Sequence, residues 1–444
     1  MNSEETTTAI RRAELTAGGT PVVAAQRPFD VPKSAPRDLS IDVVRSLCLI
    51  VVVLLHALMV GVSIGPEGPV LENALDGQEW FVPVTWFAQI MPLFFIAGGF
   101  SSISQWRSLS ARGVSAADYV RSRLLRLLVP AAVMVGAVGA GLLVLTLAGL
   151  PSDIVSTAGY RISQPLWFLA VYIGCSALVP LMARAHQKAR IRTMLGLFLC
   201  LLAVDALRIM TDQTAVGYAN LAFVWLFIQQ LGFWLADGFL ERTTPAVRGW
   251  IAGLTLGLLM VSVAAGWYSA DMYVNLNPPT GALALLAVIQ LMIFSLCQPA
   301  IRAWAENPAV MQLTHSVGTR AMTIYLWHMP VLVAVAGMLL ILPLHLPVPG
   351  SAEWWFTRSY WLAACLCALV PTVHVLGIFE RAGSDPRDRP SSSSRVVFST
   401  LLGVVGVIVL LVEGITPITA GVSVLLFSCA LTGHTNLPRL RPVR

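Results

Sequence analysis

The chain has 444 residues, 56% of them hydrophobic and only 12% charged, with a net charge of +6 and a mean hydropathy of +0.74. Soluble domains carry about 25% charged residues, so this composition excludes a soluble globular enzyme and any large aqueous module. The positive balance would suggest nucleic acid in a soluble chain, but here membrane topology explains it better.

Residues 1–37 are polar, rich in Thr, Ala, Pro and Arg, and hold no apolar core that a cleaved signal would need. They read as a disordered cytoplasmic tail. The apolar run from Leu39 to Val62 then fits a membrane crossing of about 20 residues, yet it contains Asp42, Arg45 and His56. An arginine at membrane depth costs at least about 2.5 kcal/mol, so it should face protein or a wet cavity. Arg45 and His56 are eleven residues apart. At 3.6 residues per turn they share one helix face, separated by about 16 Å along the axis. Asp42, one turn before Arg45, is a natural ion-pair partner. This polar stripe is expected to border an enclosed passage.

Residues 63–80 follow as a loop bearing Glu67, Glu72, Asp76 and Glu79, read as solvated surface. A second span near 83–104 contains Met91-Pro-Leu-Phe-Phe-Ile-Ala-Gly-Gly-Phe100, and a basic connection with Arg107, Arg112, Arg121, Arg123 and Arg126 leads to a third near 127–149. The fourth begins in Gln164-Pro-Leu-Trp-Phe-Leu-Ala-Val-Tyr172 and is closed by Arg184, Lys188, Arg190 and Arg192. Spans five to ten fall near 193–210, 219–239, 250–268, 281–299, 320–342 and 359–379. Two more, near 396–412 and 414–433, come after a polar stretch that opens at Glu380 and contains Asp385-Pro-Arg-Asp-Arg-Pro. The expected fold is an all-α polytopic membrane bundle. It has a ten-helix core over 38–380, a cytoplasmic linker over 381–395, two added transmembrane helices over 396–433 and a cytoplasmic tail over 434–444.

Placing both termini in the cytoplasm puts 25 of the 29 basic residues on that side, which fixes the expected orientation. Arg45 then lies near the cytoplasm and His56 in the outer third. His328 is expected about a third of the way in from the cytoplasm. Arg161, Arg208 and Arg358 lie toward the outside, and Asp205 with Arg208, one turn apart, reads as a salt bridge. All seven cysteines sit in apolar runs and read as small core residues, with no spacing that suggests a metal or a disulfide. His374 has no motif around it and reads as structural.

Several segments together resemble the integral-membrane acyltransferase-3 family over about residues 36–380. They are Asp42-Val-Val-Arg45 with His56, the Met91–Phe100 segment, Arg123-Leu-Leu-Arg126 with Pro130, Leu166-Trp-Phe-Leu169, and Ile324-Tyr-Leu-Trp-His-Met-Pro-Val331. The resemblance implies transfer of an acyl group, often acetyl, from cytoplasmic acyl-CoA to a hydroxyl of a sugar, glycan or glycolipid, commonly on the outer side of the plasma membrane. Arg45 and His56 would be the functional pair, with no permanently bound cofactor. One departure is Gly98-Gly99, where relatives often carry Ser-Gly. The chemistry fits these residue types. Histidine suits removal of a hydroxyl proton, and Arg45 could bind the donor or stabilise the thioester oxyanion, with Asp42 beside it. Arg123 and Arg126 suit donor phosphates, with His328, Tyr325 and Trp167 as further candidates for the donor channel. A twelve-helix secondary transporter is the alternative class, against which no internal repeat is found. A cytoplasmic small-molecule acceptor is the alternative within the enzyme reading.

Overall fold

The computed structural model describes residues 38–65, 68–342, 346–381 and 391–432. The two expected tails, most of the linker and Glu67 of the acidic loop lie outside the described residues. What is described belongs to one compact unit.

Helix α1 (Leu39–Met59) starts where Asp38 accepts a hydrogen bond from the Ser40 backbone N–H, closing an N-terminal orphan donor. It ends at Val60, which turns extended. The last residues of the expected first span therefore leave the helix and form strand β1 (Val60–Gly65), antiparallel to β2 (Gly68–Asn73) with Val60 opposite Asn73. The acidic loop of the sequence reading is thus a hairpin. The apolar run hid it, since Val-Gly-Val-Ser-Ile continues a helical hydropathy signal while its β-branched residues favour strand.

The chain continues through α2 (Phe81–Ala88), α3 (Met91–Ala111), α4 (Ala116–Leu147) and α5 (Ser152–Ser163). Ser115 caps α4, so the basic segment Arg121 to Arg126 is already helical, about three turns before the expected span. Helix α6 (Trp167–Thr211) holds the fourth and fifth spans, joined at Ala189, whose φ −158° and ψ 62° break the helix. Next come α7 (Thr214–Gly217), α8 (Asn220–Ala236), α9 (Pro245–Ala264), α10 (Gly281–Ala305), α11 (Pro308–Gly318), α12 (Ala321–Ile341) and α13 (Ala352–Leu376). The last pair is α14 (Ser393–Glu413) and α15 (Pro417–Leu431).

Among the described residues, ten helical stretches are long and apolar enough to cross a bilayer. One of them, Ser152–Thr211, contains two expected spans, and α15 is a shorter apolar helix, so each of the twelve expected spans falls on a helix. The protein is an all-α polytopic membrane bundle. Backbone groups buried in hydrocarbon demand this solution, because a helix satisfies them within the segment.

Two close approaches organise the interior. A Cβ on Gly99 of α3 would strike the Gln229 carbonyl oxygen, and one on Gly232 of α8 would strike the Ile96 carbonyl. Glycine at both positions lets α3 and α8 touch backbone to backbone. The added pair docks just as tightly: Gly139 of α4 meets Ala420 of α15, and the Ile415 N–H bonds the Gly159 carbonyl. Val407, Leu410 and Phe427 are fully enclosed and share the main apolar core with the preceding helices.

Candidate functional site

On α1 the exposed Leu47 and Leu54 mark the outward face, while Arg45 and His56 are half-buried on the inward side. His56 Nδ1 lies 3.0 Å from Nε2 of His328, and the two rings stack with centroids 5.0 Å apart. This contradicts the depths read from sequence, which put His56 in the outer third and His328 near the inner third. The reason is the origin of α12. Helix α11 packs beside α1, where Ser46 Oγ donates to the Thr314 carbonyl at 3.4 Å, so α12 starts well along α1 rather than level with its beginning. Counting seven residues from that raised start brings His328 to the height of His56.

Hydrogen-bond roles follow from an acceptor that cannot donate. His328 is 1% exposed, and its Nδ1 lies 2.6 Å from the Tyr325 carbonyl oxygen, so Nδ1 carries the proton. In the neutral ring Nε2 is then a lone-pair acceptor. His56 must therefore donate from Nδ1–H, which leaves His56 Nε2 as the lone-pair nitrogen. Nε2 makes no hydrogen bond among the described residues. A carbonyl orients one imidazole, that imidazole orients a second, and the second presents a base.

Aromatic rings wall this pair. Tyr325 donates its hydroxyl to the Pro165 carbonyl at 2.9 Å and meets Phe168 edge-on at 5.0 Å. Phe168 stacks on Tyr172 at 5.3 Å, and Trp167 stacks on Trp225 at 5.6 Å. The structure thus brings together His56, His328, Tyr325 and, one residue removed, Trp167.

Arg45 lies near the start of α1 and Arg123 near the start of α4. Arg123 lies over the Tyr119 ring at 5.4 Å, and Tyr119 meets Trp106 edge-on at 5.3 Å. Trp106 lines a cleft of about 530 Å³ shared with Arg107, Ser110, Arg184 and Gln187. The Nε–H groups of Arg45 and Arg123 are enclosed and find no acceptor among the described residues. Arg126, expected beside Arg123, is exposed. Asp42 is half-buried and partnered.

Three further readings change. Asp205 makes no ion pair with Arg208 among the described residues. It accepts from Asn220 Nδ2 at 2.9 Å, the Tyr268 hydroxyl at 2.8 Å and the Gly281 N–H at 2.8 Å, while Arg208 acts only as a nearby charge. Of the seven cysteines, Cys48, Cys175 and Cys365 are buried, but Cys200, Cys297, Cys367 and Cys429 are exposed on the outer surface of the bundle. Apolar sequence does not separate core from lipid-facing positions, since both favour small apolar groups. His374, expected to be structural, is exposed.

His186 was concealed in the basic segment after the fourth span. It is 3% exposed, with Nδ1 at 2.8 Å from Gln230 Oε1 and Nε2 at 2.9 Å from Asp237 Oδ2, and Arg107 pairs with Asp237 at 2.7 Å. Burial alone would raise the Asp237 carboxyl, but the hydrogen bonds from His186 and Arg107 outweigh it and hold the carboxyl below its ordinary value. The signal available in sequence was the polar pair Gln229-Gln230 inside the sixth span, seven residues before Asp237.

Residues 38–376 match the acyltransferase-3 family, whose description is an acyltransferase domain. No curated protein and no solved structure matches the chain significantly.

Proposed function

The chain belongs to the acyltransferase-3 family and is an integral-membrane acyltransferase, and from that premise we propose that it moves an acyl group, acetyl in the simplest case, from acyl-CoA to a hydroxyl of a sugar, glycan or glycolipid. The observation that carries this reading is the hydrogen-bond chain from the Tyr325 carbonyl through His328 to His56, which leaves His56 Nε2 as an oriented base. As the acceptor oxygen attacks the thioester carbonyl, His56 Nε2 takes its proton. The C–O bond forms, the C–S bond breaks, and the imidazolium returns the proton to the departing thiolate.

The donor's charged head belongs at the arginine end. Arg45 Nε and Arg123 Nε, enclosed and without partners among the described residues, are the kind of buried donors that an anion or a carbonyl oxygen satisfies. Arg45 and His56 are eleven residues apart on α1, about 16 Å, comparable to an extended pantetheine arm. Arg45 accordingly holds the donor side, and His56 is the site of transfer. The distribution of basic residues supports a cytoplasmic arginine end with both termini on that side, and in this reading the acceptor binds on the outer face of the plasma membrane.

The test is release of free thiol from acetyl-CoA by purified protein, with extracted envelope glycolipids as acceptor. His56→Ala should remove acceptor-dependent release and keep acetyl-CoA binding, and Arg45→Ala should weaken that binding. If both variants transfer at the normal rate, the assignment is wrong. Solute uptake without thiol release would identify a transporter instead.

A further inference from the structure

Glu380 was read as the first residue of a polar linker. It lies four residues past the family match, in a short 3-10 turn (Phe379–Arg381) after α13, and it is 8% exposed. Its two carboxylate oxygens lie on the first turn of α12. Oε1 accepts from the Met322 N–H at 3.1 Å, and Oε2 accepts from both the Thr323 N–H at 3.1 Å and the Thr323 hydroxyl at 2.8 Å. Thr323 is 1% exposed, so water does not supply these bonds. A helix start leaves such N–H groups without internal partners and carries partial positive charge, and a carboxylate supplied from another segment answers both.

What this tie holds is the helix that carries His328 five residues further on, about 7.5 Å along the axis. The 3.0 Å contact between His328 Nε2 and His56 Nδ1 sits inside a narrow window, because such bonds run from about 2.7 to 3.2 Å. A slide of α12 by one residue would move His328 by about 1.5 Å and turn it by about 100°. Tyr325, bonded to the Pro165 carbonyl, pins the helix on its other side.

We infer that Glu380 is a positioning residue for acyl transfer: by gripping the start of α12 it sets the height and rotation at which His328 orients His56. The inference rests on the reading of His56 as the base.

It is tested by thiol release from acetyl-CoA with envelope glycolipid extract as acceptor, using Glu380→Ala, His328→Ala, the double variant and His56→Ala. Misplacement by about 1 Å costs on the order of 10²-fold, so Glu380→Ala should lower kcat by about that factor with KM for acetyl-CoA unchanged. Glu380→Gln, which keeps the volume and one acceptor oxygen, should recover part of the rate. The double variant should be no slower than His328→Ala alone, because the grip acts through that imidazole. Wild-type kcat in Glu380→Ala, or losses that multiply in the double variant, overturns the inference. Should Glu380→Ala not accumulate in membranes, Glu380→Gln takes its place in the same cycle. Normal turnover in His56→Ala is a separate outcome, which removes the base and with it the reading beneath.

Discussion

A glycine pair separates what a side chain would block from what it would not. At Gly98 an added Cβ would meet only the Tyr172 ring, at 3.8 Å, an ordinary contact, whereas at Gly99 it would enter the Gln229 carbonyl. The serine that relatives often carry at the first position therefore fits here, and Gly98→Ser should leave thermal stability in detergent nearly unchanged. Gly99→Val must push α3 from α8 and should cost about 1–3 kcal/mol or more, read as a lowered melting temperature. Equal melting temperatures for the two would show that the contact between α3 and α8 yields easily. At this scale the sequence was informative about types and less so about partners. The eleven-residue spacing gave Arg45 and His56 a common face from helical geometry alone, but the neighbour of His56 comes from a residue 272 positions away. That contact depends on where α12 begins in space, which no local pattern encodes.

Elements meet through a few polar ties, and one of them titrates. Asp237, just past α8, joins α6 through His186 and α3 through Arg107. Because its folded carboxyl is held below the ordinary value, its contribution to stability is present at pH values above the unfolded carboxylate range, near 3.9, and is lost as pH falls through the folded value. The melting temperature should therefore be insensitive to this group between about pH 7 and 5 and fall below about pH 4. Asp237→Asn should lower the melting temperature at neutral pH and flatten that fall, and an unaltered fall in the variant would assign it to other carboxylates. Helix existence was readable throughout, since apolar length alone forces helices in lipid. Helix ends were not. Ser115 starts α4 before its apolar stretch, and the hairpin after Met59 takes residues whose hydropathy matches the span before them. Glu380 looks like a linker residue because its function depends on Met322 and Thr323, far behind it in the chain.

For the molecule as a whole, the charge asymmetry and the architecture give the same account of its two ends. Two of the three arginines expected outside are engaged where the hairpin is anchored: Arg161 donates to the Leu71 carbonyl at 3.1 Å, and Arg358 donates to the Val60 carbonyl at 3.3 Å while lying 4.1 Å over the Trp354 ring. These cations stay where loop charge would not have put them because they fasten β1 and β2 to α5 and α13. At the opposite end, Arg107, Arg123 and Arg184 surround or adjoin the cleft. If that end faces the cytoplasm, a cysteine replacing the exposed Glu72 on β2 should react with a membrane-impermeant maleimide added to intact cells. One replacing the exposed Arg112, after α3, should react only once the membrane is opened. The unmodified chain is the background control for its four exposed cysteines. The reverse pattern would put the cleft outside, away from cytoplasmic acyl-CoA. Arg45 could then no longer meet the donor before His56 meets the acceptor, and the direction of transfer argued from α1 would have to be inverted.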